Sequence, residues 1–265
     1  MSTTSSTTPV PAARRFPAIN RRAARAMLLS EGRLLLRNPG VVIWTAVLPV
    51  AAAIILGSIP AVRKPSTSFG GLSFFQVYQP ILVFFALTLL AMQALPDVLT
   101  RYREMGVLKR LRTTPVSPAL LLCAQLTLIL SVAIICGALM VVAPPLGGAP
   151  FPRNIGGFVI SYLLGAWAML GLGMVIASLF HNAKVAAGFG SFLFFVLQFF
   201  AGLWWQRPNM PTWLHDISNF TPSGAAVQAL TDSSVGHWPR ALYLIVLAVW
   251  GAATSRLAIR FFSWE

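Results

Sequence analysis

Six long apolar runs divide the chain, and polar or basic stretches separate them. The runs cover 41–59, 77–99, 119–142, 156–180, 185–205 and 241–262. Each is long enough to cross a hydrocarbon core of about 30 Å, which takes about 20 helical residues. The pattern predicts an all-α integral membrane protein of six transmembrane helices. Pro49 should kink the first span, Pro80 should fall in the first turn of the second, and Pro96 should sit near its end.

Ahead of the spans, 18–38 reads as an amphipathic interfacial helix. At 100° per residue Arg21, Arg22, Arg25, Arg33 and Arg37 share one arc, with Ala23, Ala24, Met27, Leu28, Leu34 and Leu35 opposite. Glu31 lies within the apolar arc. It either snorkels to the headgroups or pairs with an arginine of the 100–112 stretch. Residues 1–17, rich in Ser, Thr, Pro and Ala, read as a disordered tail. No apolar segment with a small-residue cleavage site follows them at the distance a signal peptide requires.

The linking stretches differ in character. The turn at 180–184 is so short that the helices on either side must be antiparallel neighbours. The 206–240 stretch is long, with Pro208, Pro211, Trp213, Pro222, Gly224 and Trp238. Short helices over 212–218 and 223–230 are expected there, dipping back into the bilayer as a re-entrant segment. The 100–117 stretch is a basic island, too charged for lipid and too small to be a domain.

Charge sets the orientation. Of the Lys and Arg residues, fifteen fall on the tail, the interfacial helix and alternate loops, and five (Arg63, Lys64, Arg153, Arg207, Arg240) fall on the others. The positive-inside rule then places both termini in the cytoplasm and 206–240 outside. The chain is 57% hydrophobic and 10% charged, with a mean hydropathy of +0.74. That composition excludes an ordinary soluble domain. A net charge of +14 invites nucleic acid, but the distribution follows topology and no polar fold exists to present a basic footprint.

Much familiar chemistry is missing from the sequence. There is no Gly-x-x-x-x-Gly-Lys-Ser/Thr loop for nucleotide phosphates, no His-Glu-x-x-His and no Cys-x-x-Cys. His181, His215 and His237 are scattered, so no metal set suggests itself. Cys123 and Cys136 lie about 20 Å apart on one helix, too far for a disulfide within the chain. No carboxylate occupies the centre of a span, which counts against ion-coupled transport and against a membrane enzyme. No catalytic residue, cofactor or metal is assigned to this chain.

The basic island carries a more specific pattern: Arg103-Glu104-x-Gly106-x-Leu108-x-x-Leu111-x-x-Thr114-Pro115 after the second span. Two further stretches accompany it, Ser178-Leu-Phe-His-Asn182 with Ala186, and Gly202 through Pro208-Asn-Met-Pro-Thr-Trp-Leu214 to Thr221-Pro222. In order and spacing these resemble the permeases of type-2 ATP-binding-cassette (ABC) transporters, over about 20–262, with the daunorubicin-exporter branch most similar. The resemblance implies a bacterial plasma-membrane permease subunit without an ATPase site of its own. It implies two copies of a separate ABC ATPase subunit carrying ATP and Mg, and a second permease subunit, identical or related.

Under that resemblance 101–115 is the coupling helix, with Arg101, Arg103, Glu104, Gly106, Leu108, Leu111, Thr114 and Pro115 meeting the ATPase, and 18–38 is the connecting helix. The residues suit the role: Leu108 and Leu111 offer an apolar anchor, and the basic side chains suit an acidic rim. The same arginines would also serve a loop that only sets topology. Gln93, Gln125, Gln198 and Phe199 are the candidate substrate path, for an amphipathic drug or secondary metabolite. Ordinary helix packing accounts for such residues equally well. Export of a lipid or lipid-linked polysaccharide is a second reading, and a membrane scaffold or channel a third.

Overall fold

The computed structural model describes residues 28–30, 32–33, 40, 43–106 and 118–261. Within them the architecture is helical. A short apolar helix α1 (Ile43–Ser58) opens with a π-helical turn. Five helices are long and apolar enough to cross a membrane: α2 (Phe74–Glu104), α3 (Pro118–Leu146), α4 (Ile155–Leu179), α5 (Ala183–Ala201) and α8 (Ala241–Phe261). Between the last two lie α6 (Thr212–Phe220) and α7 (Pro222–Val235). The expected tail at 1–17, most of the interfacial helix 18–38 and the stretch 107–117 lie outside the described residues.

Local chemistry fixes the ends. Ser73 and Gln76 form a reciprocal capping box that starts α2. Asn154, Asn182 and Thr221 accept first-turn N–H groups of α4, α5 and α7. Gly202 (φ 92°) ends α5 at Ala201, short of the expected 205. Helix α2 outruns its expected span in both directions: Pro80 lies in its interior, and Arg101, Arg103 and Glu104 form its last turn rather than the start of a separate coupling helix. Backbone hydrogen bonding does not stop where hydropathy does.

Helix α7 is the pivot of the packing, lying among α2, α4, α5 and α8. At one end the N–H groups of Arg153 and Asn154 donate to the carbonyls of Ser234 and Ser233 (3.2 and 3.0 Å). At the other, Ala226 faces Gly165, about 15 Å further along α4. Small residues make this approach possible, since Ser223, Gly224, Ala225, Ala226 and Ala229 are all buried. Helix α7 therefore runs alongside α4, its C-terminal end at the start of α4 and its first turns about 15 Å further along.

Candidate functional site

The last turn of α2 carries the basic motif and meets the tight turn between α4 and α5. Helix α4 ends at Leu179, so its last carbonyls lack helical donors. Arg103 donates from Nη1 to one of them, that of Ala177, at 2.6 Å. Helix α5 begins at Ala183, where Asn182 Oδ1 accepts from Lys184 and Val185 N–H (2.9 and 3.2 Å). The remaining first-turn donor, the N–H of Ala183, is taken by Glu104 Oε1 at 2.7 Å. A cation thus sits on a helix C-terminus and an anion on a helix N-terminus, the favourable sense for both helix dipoles. Adjacent charges of opposite sign clasp the two arms of one turn.

Gly106 explains its place in the motif through φ of +66°, a left-handed residue that stops α2. Its N–H reaches back to the Arg103 carbonyl at 2.9 Å. Arg101 is held from its own helix, with Nε 2.9 and 3.0 Å from the two carboxylate oxygens of Asp97. The remaining motif residues, Leu108, Leu111, Thr114 and Pro115, and also Glu31, lie outside the described residues.

Further along α2 is a π-helical turn, Leu90–Ala94. Leu95 gives its N–H to Leu90 rather than Ala91, and Pro96 has none to give Met92. The carbonyls of Ala91 and Met92 press instead on Gly173 of α4 and Gly190 of α5, where an added Cβ would fall on the oxygens. The sequence shows Pro96 and both glycines, but nothing in it pairs them. A comparable exchange occurs in α3. Pro144 cannot donate to Met140, and Gln79 Nε2 of α2 takes that carbonyl at 3.1 Å.

Beside the π turn opens a cavity of about 440 Å³ between α1, α2, α3 and α5. Gln93, Gln125, Thr45, Asp97, Arg101 and Ser191 supply its polar groups, and Trp44, Leu90 and Ile129 its walls. Gln125 is 2% exposed, and its Oε1 has no hydrogen-bond partner. The structure thus joins Gln93 and Gln125 of the expected path. Gln198 and Phe199 are elsewhere, roughly 12 Å beyond Ser191 along α5. Gln198 is fully buried with both amide atoms unpartnered, and Phe199 packs edge-on against Phe200 at 5.5 Å.

One polar centre escaped the sequence reading. Arg207, counted there only as a topological charge, is 5% exposed and anchors the α6–α7 segment. It donates to Gln228 Oε1 (3.3 Å), the Phe200 carbonyl (3.4 Å), Asn219 Oδ1 (2.6 Å) and Ser218 Oγ. Gln228 hands the contact on, donating to Asp232 Oδ1 at 3.0 Å. Burial pushes the guanidinium down to about 10, still well above neutral pH.

The pattern that defines ABC-2 type transporters matches residues 22–234, which includes the clasp, the π turn and the α6–α7 segment. The chain belongs to the ABC-2 type transporter family. It is also 24% identical over 227 residues to the putative transport permease YvfS of Bacillus subtilis (strain 168), a match covering 82% of this chain and 89% of that protein. An ABC-2 protein is the multi-pass membrane component of an ABC transport system and works with an ATPase partner. Among the described residues no group of His, Cys, Asp and Glu is placed to hold a metal ion.

Proposed function

We propose that this ABC-2 protein is the permease subunit of a bacterial plasma-membrane exporter for an amphipathic drug or secondary metabolite. Two such subunits, identical or related, assemble with two ATPase subunits that carry ATP and Mg. Both termini and the Glu104 end of α2 face the cytoplasm. The stretch 101–115 docks on the ATPase, and 18–38 lies beside it on the membrane surface, with Glu31 paired to an arginine of that stretch. Six spans complete the topology, α1 being the first.

The clasp of Arg103 and Glu104 on the α4–α5 turn is the observation that supports this reading most. A merely solvated, topology-setting loop needs no such contact. A displacement of the α2 terminus is delivered at once to two further helices, and the cavity at Gln93 and Gln125 lies between α2 and one of them. ATP shifts the population of states only if the ATPase grips the handle differently in each state, and a rigid connection is what makes that difference felt in the membrane. The cavity's apolar walls and few polar groups suit an amphipathic ligand.

The test is purification of the tagged chain from its native membranes in mild detergent. A stoichiometric ATPase subunit that is lost with Leu111→Asp is the expected result. A chain that emerges alone under gentle conditions, or an ATPase that stays bound to the variant, overturns the docking assignment. Nucleotide-dependent movement of dye-like amphiphiles into inverted vesicles then tests the substrate class.

A further inference from the structure

Helices α3 and α4 touch at one level and part below it. Tyr162 of α4 donates its hydroxyl to the Ala133 carbonyl of α3 at 2.5 Å, and its ring covers Gly137, where a Cβ would meet ring carbon at 2.7 Å. Toward the Pro118 end of α3 the two helices diverge, leaving a cavity of about 560 Å³ bounded on the third side by α8. Leu126, Leu130, Leu163, Leu170, Met174 and Ile259 make it apolar. From Leu163 to Met174 it runs about 16 Å along α4, a helix long and apolar enough to cross a membrane. One wall is rigid: Trp167 lies on Gly251 and donates Nε1 to Ser255 Oγ at 3.0 Å.

No charged residue lines this wedge, but two arginines stand on α8 beside its lining. Arg256 and Arg260 each follow a residue of the lining, Ser255 and Ile259, so they lie about 100° further round α8 at the helix's last turns. Both are exposed, and among the described residues neither makes an ion pair. Basic pockets between spans on the cytoplasmic side attract anionic headgroups, and guanidinium forks fit phosphate oxygens in pairs.

We propose that the wedge between α3 and α4 holds one anionic phospholipid of the inner leaflet, its acyl chain along Trp167 and its phosphate on Arg256 and Arg260. The inner-leaflet assignment rests on the orientation given under Proposed function, whereas the wedge does not depend on the cargo or the ATPase. Side chains lining such a gap lose their dispersion partners unless something apolar fills it. A second copy of the chain is a poor filler, because a two-fold partner brings the same arginines beside the wedge. An acyl chain with a negative headgroup matches both the shape and the charge.

The experiment extracts the full-length chain from its membranes in mild detergent, with whatever subunits accompany it, and measures retained phospholipid per chain by mass spectrometry. The wild type should retain phosphatidylglycerol or cardiolipin over phosphatidylethanolamine. Arg256→Gln with Arg260→Gln should reduce that preference roughly tenfold or more, while the double lysine variant keeps most of it. Leu163→Trp, which fills the wedge from a lipid-facing position, should reduce bound lipid of every class. A monodisperse elution profile shows that each variant is folded. Equal retention and equal preference across the wild type and all three variants overturns the proposal. So does disulfide formation between two copies of Leu163→Cys in the membrane, which would put a second chain in the wedge.

Discussion

The carboxylate of Glu104 receives the backbone N–H of Ala183 at 2.7 Å, from a residue 79 positions away in sequence. This is an N-cap supplied by another helix. The motif's own neighbour completes the arrangement, because Arg103 satisfies the Ala177 carbonyl on the opposite arm of the turn.

Removing that cap should loosen the turn without unfolding the bundle. Glu104→Ala is expected to cost about 1 kcal/mol, the usual loss of a helix cap. Glu104→Lys should cost more, because it puts like charge at the α5 N-terminus. In reconstituted vesicles both variants, and the charge reversal Arg103→Glu, should leave ATP hydrolysis running while export falls. Unchanged export per ATP in all three would remove the clasp from the mechanism.

The π turn makes a sterically sharp prediction. Gly190→Ala and Gly173→Ala each place a methyl group on a carbonyl of α2 and should cost about 1–3 kcal/mol through overpacking. Gly165→Ala is the control, since its Cβ would meet Ala226 at an ordinary 3.5 Å. Thermal melting in detergent followed by size-exclusion chromatography separates the three.

Gln125 gives the opposite sign. Its Oε1 is buried without a partner, a penalty of about 1–3 kcal/mol. Gln125→Met conserves shape and removes the orphan, so the melting temperature should rise. Transport should weaken in the same variant if the cavity carries substrate.

Arg207→Met should be among the most damaging substitutions outside the spans. It strands Ser218, Asn219 and Gln228, each at a cost of about 1–3 kcal/mol where burial denies water. Arg207→Lys cannot reach all four acceptors and should recover only part of the loss. Limited proteolysis within 206–240 reports the difference.

Acid sensitivity should arise at His215. Burial and the charge of Arg207, with Arg240 adding to it, hold the imidazole below its usual 6.5, outweighing the attraction of Asp216. The unfolded chain therefore binds the proton more readily, and the stability His215 contributes is complete above pH 6.5 and lost as pH falls below it. Asp232 works the other way, since burial raises its carboxyl and favours the folded state as pH falls. Comparing wild type with His215→Gln isolates the histidine: the melting temperature should drop less steeply below pH 6.5 in the variant.

Much of the helical layout was legible because apolar length alone marks a spanning helix. Five of the six long runs have membrane-length counterparts and the first a shorter helix, and the short helices at 212–218 and 223–230 are present but longer, at 212–220 and 222–235. Misreadings came where hydropathy and backbone geometry part company. Leu203, Trp204 and Trp205 are apolar and extend the span by hydropathy, yet Gly202 has already turned the chain. Arg101 to Glu104 are charged and read as the start of a separate helix in a cytoplasmic stretch, yet they are the last turn of α2 itself. The candidate site was half legible for a related reason. Side-chain types pointed to Arg103, Glu104, Gln93 and Gln125, but what the first two hold is a backbone carbonyl and a backbone N–H, which no residue identity at 177 or 183 announces. The hub at Arg207 left only the ambiguous trace of one more cation.

The tight turn at 180–182 also has a mechanical consequence. Three helices, α2, α4 and α5, meet at one small knot whose bonds all lie at their ends, while the glycine contacts at 173 and 190 join the same three helices about one turn away along α4, two along α5 and three along α2. Two separated points of attachment resist twisting in a way that one cannot. A push at the knot is therefore transmitted as a tilt of the whole tripod rather than as a swivel of one leg, and its far ends sweep an arc proportional to their length.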